Sequence, residues 1–335
     1  MRELTSALVL GGGGFIGRWL VRSLLARGAQ VTVISRSGAD EPGAEWHTAD
    51  LRSVEIAPIV VARRIDTVFD LAGSADAPGS IHAPLSDLDS NGGQTVRVLE
   101  ALRHVPTPPL YVYGSSAAVY GRVAHLPIAE DDPVAPLSPY AVSKLAAEQY
   151  LSLYRRVHGQ PGIALRFFSV YGPGQRKQAI FDLLRQAQEP GPELHVRAPA
   201  DVTRDFIFVR DVVEAAVDVA ERAPGHGEVY NVASGVETSM EDLAAGILAA
   251  SKAHKNVSFG AELRPGDPHR YVGATRRIAA LGVRLETPLA DGLAQTAAWL
   301  HANRGTPAAD AATPPRHTGA RMRPARIREV TRNRW

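Results

Sequence analysis

A phenol and an ammonium group stand four residues apart in the segment Tyr140-Ala141-Val142-Ser143-Lys144. Residues at this spacing share one face of a helix, so the two groups are expected to be neighbours. A free tyrosine, with a pKa of about 10, is a poor base at neutral pH, but a nearby positive charge favours its phenolate form. Ser116 follows a predicted strand, where its hydroxyl can bridge the phenol and a substrate oxygen. We therefore predict proton transfer by Tyr140, assisted by Lys144 and Ser116.

Glycines dominate the segment Gly11-Gly12-Gly13-Gly14-Phe15-Ile16-Gly17, which lies between an apolar run and a helical pattern. Gly11, Gly14 and Gly17 have the spacing of a turn whose N–H groups approach a pyrophosphate at a helix N-terminus. A tight turn without a ligand would also use glycine, but the strand–turn–helix context favours a dinucleotide site. The chain has the glycine turn first, then the pair Ser115-Ser116, then the helix with Tyr140 and Lys144. This order favours a catalytic site over a chance occurrence of Tyr and Lys four residues apart.

The residues after the second predicted strand bear on which dinucleotide binds. NAD sites usually have an acid here for the ribose 2′-OH, whereas this chain has Ser35-Arg36. Arg36 can pair with a 2′-phosphate and Ser35 can donate to it, which favours NADP over NAD unless Arg36 is only a surface residue. Asp50, after the third strand, is a candidate for the adenine amino group or else an ordinary loop acid.

Alternating strands and helices must position these groups. Apolar runs predict strands at 7–10, 31–34, 67–71, 110–113 and 163–168. Helical periodicity predicts helices at 15–26, 95–104, 140–158, 211–222, 240–251 and 289–303. This alternation predicts an α/β fold, a doubly wound parallel sheet of the Rossmann type with a smaller mixed C-terminal lobe. The predicted domains are 1–168 for the dinucleotide, with segments near 204–232 returning to it, 169–303 mainly for substrate, and a basic tail at 304–335.

Composition restricts the classes of function. The 335 residues carry a net charge of +2, and eight arginines against two acids in 304–335 leave a mildly acidic remainder. This disfavours a nucleic-acid partner and predicts a disordered tail, with a docking segment as the alternative. No apolar run approaches the roughly 18 residues of a membrane span, and there is no cysteine. With scattered histidines and no signal-peptide pattern, we expect no metal site, no membrane partner and a cytoplasmic protein.

In this order, the motifs resemble the extended short-chain dehydrogenase/reductases of the NAD-dependent epimerase/dehydratase family, nearest to its nucleotide-sugar epimerases. The resemblance covers about residues 6–302. The segments that carry it are 11–17, 91–101, 115–121, 138–144, 165–175, 204–212, 230–235 and 264–267. Each segment is modestly specific, whereas all of them in one order are highly specific.

The resemblance implies a mechanism and a set of binding residues. Phenolate Tyr140 takes the proton of the sugar C4 hydroxyl, a hydride passes from C4 to NAD or NADP, and the 4-keto sugar is reduced on its other face. Lys144 holds the nicotinamide ribose. A nucleotide-diphosphate sugar is implied to contact Ser116, Ser169, Arg204 and Arg264. The further cofactor positions implied are Phe15, Ile16, Leu51, Leu71, Ala72, Gly73, Asn91, Ser115 and Phe167, beside Tyr140 and Lys144.

The chain departs from the family pattern at several positions. Ser169 stands where the family often has an Asn that contacts the substrate phosphate, and Leu10 stands where Thr commonly precedes the glycines. Ala117 and Ala118 stand where the 4,6-dehydratase branch has an Asp-Glu pair for elimination. Dehydration is therefore not expected, and the phosphate contact at Ser169 is in doubt.

Two alternative functions follow from the same residues. Arg36 favours exchangeable NADPH, so a 4-keto nucleotide-sugar reductase is the alternative to an epimerase. A non-catalytic dinucleotide sensor is disfavoured, because Ser116, Tyr140 and Lys144 are all present. The family usually forms homodimers through a four-helix bundle, for which 95–104 and 140–155 would be the helices of each subunit.

Overall fold

Seven parallel strands form the centre of the fold in the computed structural model, which describes residues 2–38, 41–263 and 268–303. The described ranges contain thirteen strands in all, of which six form smaller pairs: β1 (Ser6–Leu10), β2 (Gln30–Ser35), β3 (Ala44–Thr48), β4 (Thr67–Asp70), β5 (Leu110–Ser116), β6 (Gly162–Phe167), β7 (Ser169–Tyr171), β8 (Glu193–Val196), β9 (Thr203–Arg204), β10 (Phe206–Phe208), β11 (His226–Val232), β12 (Thr238–Ser239) and β13 (Asn256–Phe259). Across the sheet the order is β11-β6-β5-β4-β1-β2-β3. The connections from β1 to β2 and from β3 to β4 run in opposite directions along the sheet, which opens a crevice at the carboxyl end of β1.

Helices cover both faces of this sheet. They are α1 (Phe15–Ala26), α2 (Ile56–Ala62), α3 (Ala77–His82), α4 (Pro84–Leu88), α5 (Gln94–Leu102), α6 (Pro139–His158), α7 (Ala179–Gln188), α8 (Val209–Arg222), α9 (Met240–Ser251), α10 (Arg276–Ala280) and α11 (Leu289–Ala302). No helix in the described ranges is both long and apolar enough to cross a membrane.

The strands are apolar on both sides because both sides are covered. In β1, Ala7 and Val9 pack with α1 and α8, whereas Leu8 and Leu10 pack with α2, α5 and α6. Continuous apolar runs of this kind are typical of parallel sheets. The predicted doubly wound α/β sheet is therefore confirmed.

A third apolar cluster joins α7, α9 and α11 with β8 and β13. Shorter strand pairs, β7 with β10 and β9 with β12, link this region to the carboxyl edge of the large sheet. Residues through Ala302 pack as one unit, so the domain boundary at 168 stays a prediction. The predicted tail, 304–335, lies outside the described residues.

Helical periodicity predicted α1 and α9 with their observed bounds and α6 within one residue. It gave no prediction for α3 and α4, which have six and five residues. Helices this short do not complete two turns, so an apolar face does not repeat along them. These two helices nevertheless pack on α6, where the predicted catalytic side chains lie.

Candidate active site

The glycine turn connects β1 to α1 at the carboxyl edge of the sheet. Gly11 has a φ of +78°, and the Gly14 N–H donates to the Gly11 carbonyl at 3.0 Å. Gly14 is the N-cap of α1, and no side chain caps the helix. The first N–H groups of α1 can therefore donate to an anion.

A side chain at these glycines would fill the turn. A Cβ on Gly17 would lie 2.4 Å from the Gly11 carbonyl oxygen, and a Cβ on Gly11 would lie 2.7 Å from the Ala72 nitrogen. Both neighbours are backbone atoms, which cannot move aside as the end of a side chain can. The result is a cradle lined by main-chain groups, and this donor set fits the diphosphate of a dinucleotide.

The loop after β7 covers the first turn of α1. Phe15 and Ile16 are half-buried against the apolar cluster beneath α1. Trp19 Nε1 donates to the Pro173 carbonyl at 2.9 Å, and Gly174 lies beside the Phe15 ring. These contacts fix the position of α1 relative to the later part of the chain.

The end of β2 lies beside the glycine turn. Ser35 is buried, and its hydroxyl accepts from the Gly13 N–H at 3.3 Å. Arg36 is exposed and makes no hydrogen bond or ion pair within the described ranges. Its guanidinium group is therefore available to a ligand.

Asp50 is already held by a neighbour. The Arg52 side chain donates to its two carboxylate oxygens at 3.0 and 2.6 Å, and these bonds lower the pKa of Asp50 to about 2. Asp50 also caps a short 3₁₀ turn, Leu51–Ser53. An adenine amino group at this position would share the carboxylate with Arg52.

Capping contacts fix the first turn of α6. The Ser138 hydroxyl accepts from the Ala141 N–H at 3.2 Å, and Pro139 occupies the first helical position. Ser80, a buried residue of α3, accepts from the Tyr140 N–H at 3.1 Å and donates to the Ala77 carbonyl at 2.7 Å. The backbone of Tyr140 is therefore held by a residue 60 positions earlier in the chain.

Lys144 lies one turn after Tyr140, as the spacing predicted. Its Nζ donates to the Gly114 carbonyl at 2.8 Å and lies 4.8 Å from the centre of the Tyr113 ring and 5.9 Å from that of Tyr140. Burial lowers the pKa of Lys144 to about 8, against the opposing effect of the carboxylates of Asp70, Asp87 and Glu148.

The protein by itself does not favour the phenolate form of Tyr140. Burial raises the pKa of Tyr140, the Ser116 hydroxyl lowers it by less, and the Asp87 carboxylate adds to the increase. Within the chain alone, burial therefore outweighs the groups that favour the phenolate, and the role of Lys144 in its ionisation stays a prediction. The positive charge of an oxidised nicotinamide is the remaining contribution that we expect to lower this pKa.

The Ser115 hydroxyl belongs to a buried ion-pair network. It donates to Glu148 Oε1 at 2.5 Å, and Glu148 accepts two further bonds from Arg166 at 3.0 and 2.7 Å. The side chains of Arg166 and Glu148 are 6% and 5% exposed. This network ties the end of β5, with the Gly114 carbonyl and Ser116, to α6 and β6. The Ser115 hydroxyl hydrogen is therefore already used within the protein.

A π-helical turn, Asp89–Gly93, precedes α5 and faces the loop after β4. Asn91 in this turn is buried, and its Nδ2 donates to Asp87 Oδ1 at 3.1 Å. Its Oδ1 has no partner among the described residues and would lie 2.4 Å from a Cβ on Gly73. Single π-helical turns often mark functional sites, and an unused buried acceptor beside a glycine fits a donor of a bound ligand.

Leu71 and Phe167 flank Gly114, whose carbonyl receives Lys144. A Cβ on Gly114 would lie 2.9 Å from Leu71 Cδ2 and 3.1 Å from Phe167 Cε2. These two side chains therefore leave room only for glycine where β5 passes between β4 and β6.

The predicted substrate residues lie along the short strand pairs. The Ser169 N–H, at the start of β7, donates to the Asp205 carbonyl at 3.0 Å. The Arg204 guanidinium donates to the carbonyls of Thr203 at 2.7 Å and Pro268 at 2.9 Å. Arg264 lies outside the described residues.

Sequence reasoning missed three buried acids beside Lys144. Asp70, Asp87 and Glu148 are 1%, 4% and 5% exposed. Two of them have a signal in the sequence, because Glu148 follows Lys144 by one helical turn and Asp70 ends an apolar strand. A charged residue at a predicted core position points to a site. Within the described ranges, no group of three His, Asp or Glu side chains could hold a metal ion.

Comparison with known protein families gives a match to the NAD dependent epimerase/dehydratase family over residues 7–233. A UDP-glucose 4-epimerase from Mycolicibacterium smegmatis is 32% identical over 303 residues, which are 86% of this chain and 96% of that protein. A dTDP-glucose 4,6-dehydratase from Streptomyces niveus is 30% identical over 316 residues, 89% of this chain and 93% of that protein.

Among solved structures, the UDP-glucose 4-epimerase of Thermus thermophilus in complex with NAD is similar to this chain with a TM-score of 0.80. The two chains are 29% identical, and the alignment covers 89% of this chain and 99% of the other. The similarity therefore extends over both the sheet and the later apolar cluster.

Proposed function

The chain belongs to the NAD-dependent epimerase/dehydratase family as an enzyme of the extended short-chain dehydrogenase/reductase type, and from this premise we propose that it epimerises nucleotide-diphosphate sugars at C4. The observation that carries the proposal is the grouping of Tyr140, Ser116 and Lys144 at the same sheet edge as the glycine cradle. Relatives that match this chain over most of its length are UDP-glucose 4-epimerases.

Tyr140 is the proposed acid and base. It takes the proton of the C4 hydroxyl in the first half of the reaction and returns it to the C4 oxygen in the second. Ser116 donates to the same oxygen, and its effect on the pKa of Tyr140 supports this closeness. Held by the glycine cradle and Lys144, a bound NAD would supply the hydride acceptor and donor for C4. Positioned groups of this kind accelerate proton transfer by about a hundredfold or more.

Gly11, Gly14 and Gly17 are the proposed cradle of the cofactor diphosphate, and Lys144 is the proposed partner of the nicotinamide ribose. Between the two hydride transfers the 4-keto sugar must turn over. Arg204, together with Arg264, is proposed to hold the nucleotide diphosphate, so the sugar is free to rotate while the remote part of the substrate stays bound.

The residues after Ser116 favour epimerisation over dehydration. Ala117 and Ala118 begin a short 3₁₀ turn, and their methyl groups can neither donate nor accept a proton. Elimination at C5 and C6 needs an acid and a base near the sugar, and this turn supplies neither. The similarity to a 4,6-dehydratase is therefore attributed to the shared cofactor and C4 chemistry.

A 4-keto nucleotide-sugar reductase is the second candidate, and Arg36 supports it, because its side chain is exposed and its charge is shared only with the nearby Asp50 carboxylate among the described residues. A 2′-phosphate beside Arg36 would form a charge-assisted pair, and NADP would then bind in preference to NAD. Arg36→Ala is expected to weaken NADP binding by about tenfold while the affinity for NAD stays unchanged. Isothermal titration calorimetry with NAD and with NADP measures both affinities. An equal loss of affinity for the two dinucleotides would show that Arg36 does not contact the 2′-phosphate.

An exposed apolar stripe supports a homodimer. It runs along α6 and reaches α4, with the side chains of Val142, Tyr150, Leu153, Val157, Leu85 and Leu88 exposed to solvent. Contiguous exposed apolar residues at helical spacing usually mark an interface. Sedimentation velocity at micromolar concentration is expected to give a dimer, and a monomer would contradict this assignment.

The function is tested by identifying the cofactor and the product. The purified protein is denatured, the released dinucleotide is identified by mass, and UDP-glucose and UDP-galactose are each supplied without added reductant. Tightly held NAD with interconversion of the two sugars is the expected result. An empty protein that binds NADPH and reduces a 4-keto sugar would establish the reductase, and the absence of both activities with intact fold would contradict the proposal.

A further inference from the structure

A buried carboxylate next to the catalytic helix takes no part in the reaction proposed above. Asp87, on α4, is 4% exposed, and its Oδ1 accepts from Asn91 Nδ2 at 3.1 Å. The Asp87 carbonyl accepts from the same amide at 3.3 Å. Asp87 Oδ2 is also buried and has no partner among the described residues. A buried carboxylate with an unused oxygen is costly, so a compensating role is expected.

The packing of α4 brings the Asp87 charge close enough to act on both Tyr140 and Lys144. α4 packs against α6, which carries Tyr140 and Lys144, and against the π-helical turn with Asn91. Charged or titratable groups on the elements packed against α4 are His82 of α3, Asp89 of the π-helical turn, and Tyr140, Lys144, Glu148, Tyr150, Tyr154, Arg155, Arg156 and His158 of α6. Of these, Tyr140 and Lys144 are the groups whose pKa the Asp87 carboxylate raises.

The other two acids beside Lys144 are better compensated. Glu148 is paired with Arg166 through two hydrogen bonds. Asp70 accepts from the Tyr111 hydroxyl at 2.6 Å, and burial raises the pKa of Asp70. Among these three acids, Asp87 therefore has the charge with the least local compensation.

We propose that Asp87 is a positioning residue of the catalytic pair: its carboxylate fixes the Asn91 amide, and its negative charge offsets the burial of the Lys144 ammonium. The inference rests on the proposed roles of Tyr140 and Lys144. Because Nδ2 of Asn91 donates to Asp87, Oδ1 of Asn91 is left beside Gly73 as an acceptor for a donor of the cofactor. An amide turned the other way would offer a donor there.

The two roles can be separated by substitution. Asp87→Asn keeps an oxygen that accepts from Asn91 but removes the charge, whereas Asp87→Ala removes both. A nearby carboxylate raises the pKa of both Tyr140 and Lys144, so its removal lowers both. For Asp87→Asn we therefore expect both limbs of the pH–rate profile to move to lower pH, by roughly one unit.

A second readout does not depend on turnover. The phenolate absorbance of Tyr140 is followed against pH as the difference between each protein and its Tyr140→Phe counterpart. In Asp87→Asn this titration is expected to move to lower pH in parallel with the acid limb. The matched control is Asp89→Asn, which removes an exposed carboxylate two residues away that pairs with Arg97. An Asp87→Asn titration that coincides with that of the control would overturn the charge role.

The orientation role is tested by NAD⁺ binding in calorimetry. Asp87→Asn is expected to bind NAD⁺ within about twofold of the native protein, and Asp87→Ala several-fold more weakly, because one hydrogen bond is worth about 1 kcal/mol. Equal affinities in all three proteins would overturn it. Failure of the proposed function gives a different result from failure of this inference. If Tyr140 is not the acid and base, Tyr140→Phe keeps the turnover number of the native protein, whatever the effect of Asp87→Asn.

Discussion

The glycine turn after β1 and the first turns of α6 are proposed to contact the same dinucleotide, and they differ in the groups that they offer it. The turn offers main-chain N–H groups, and it has no room for a side chain at Gly11 or Gly17. The first turns of α6 work through side chains whose protonation depends on burial and on nearby carboxylates. A change in the turn should therefore act through shape and affect binding, whereas a change on α6 should act through charge and affect the chemistry.

Tyr140→Phe should give the largest effect and tests the chemical half of this contrast. Loss of the hydroxyl is expected to lower the turnover number at least about a hundredfold, the low end for general acid–base catalysis. Cofactor affinity and thermal stability should stay close to native, because the ring and the backbone contacts of α6 remain. Steady-state kinetics and calorimetry measure the two quantities, and near-normal turnover would contradict the mechanism.

Gly17→Ala tests the binding half. Its Cβ would lie 2.4 and 2.7 Å from backbone atoms of Gly11 and Gly12, so the cradle must distort. If overpacking costs about 1–3 kcal/mol of binding free energy, dinucleotide affinity falls roughly fivefold to a hundredfold, which equilibrium binding measures.

Gly28→Ala is the control at the other end of α1. Its Cβ has open space, but the φ of +82° strains any side chain. We expect it to lower the melting temperature and to leave dinucleotide affinity unchanged. An equal loss of affinity in both variants would mean that the cradle is no more sensitive than the rest of α1.

Ser80→Ala should give the smallest effect. It removes the acceptor of the Tyr140 N–H, worth about 1 kcal/mol, and the turnover number is expected to fall a few-fold with unchanged cofactor affinity. The control is Ser239→Ala, which likewise removes a hydroxyl that accepts from a helix N–H, here at the N-cap of α9. It should lower stability and leave the turnover number unchanged. If both variants lose only stability, Ser80 supports the fold and does not position Tyr140.

Several features of the site were predictable from the sequence because they depend on short spacings. The four-residue separation of Tyr140 and Lys144 requires only a helix, and the glycine spacing requires only a strand followed by a helix. Ser116 was predictable because it follows an apolar strand, and parallel strands end at a common edge. These predictions needed no contact between distant parts of the chain.

Other features depend on contacts between distant residues. Ser80 supports Tyr140 across 60 positions, and Ser115 reaches Glu148 across 33. The family resemblance implied a cofactor role for Ser115, which stays a prediction, and the donation of its hydroxyl to Glu148 was not predictable from the sequence. The partners of Arg204 likewise emerge only when the chain is folded.

The sequence by itself determined the parallel sheet, the glycine turn and the face of α6 that carries the phenol and the ammonium. Each of these follows from local periodicity, which acts over a few residues. The tertiary structure decided the electrostatics of the site: which acids are buried beside Lys144, which of them are paired, and the direction in which burial shifts the pKa of Tyr140. The reason is that a pKa depends on the solvent excluded and the charges gathered by the whole fold, and residues such as Asp87 and Lys144 become neighbours only when α4 packs on α6.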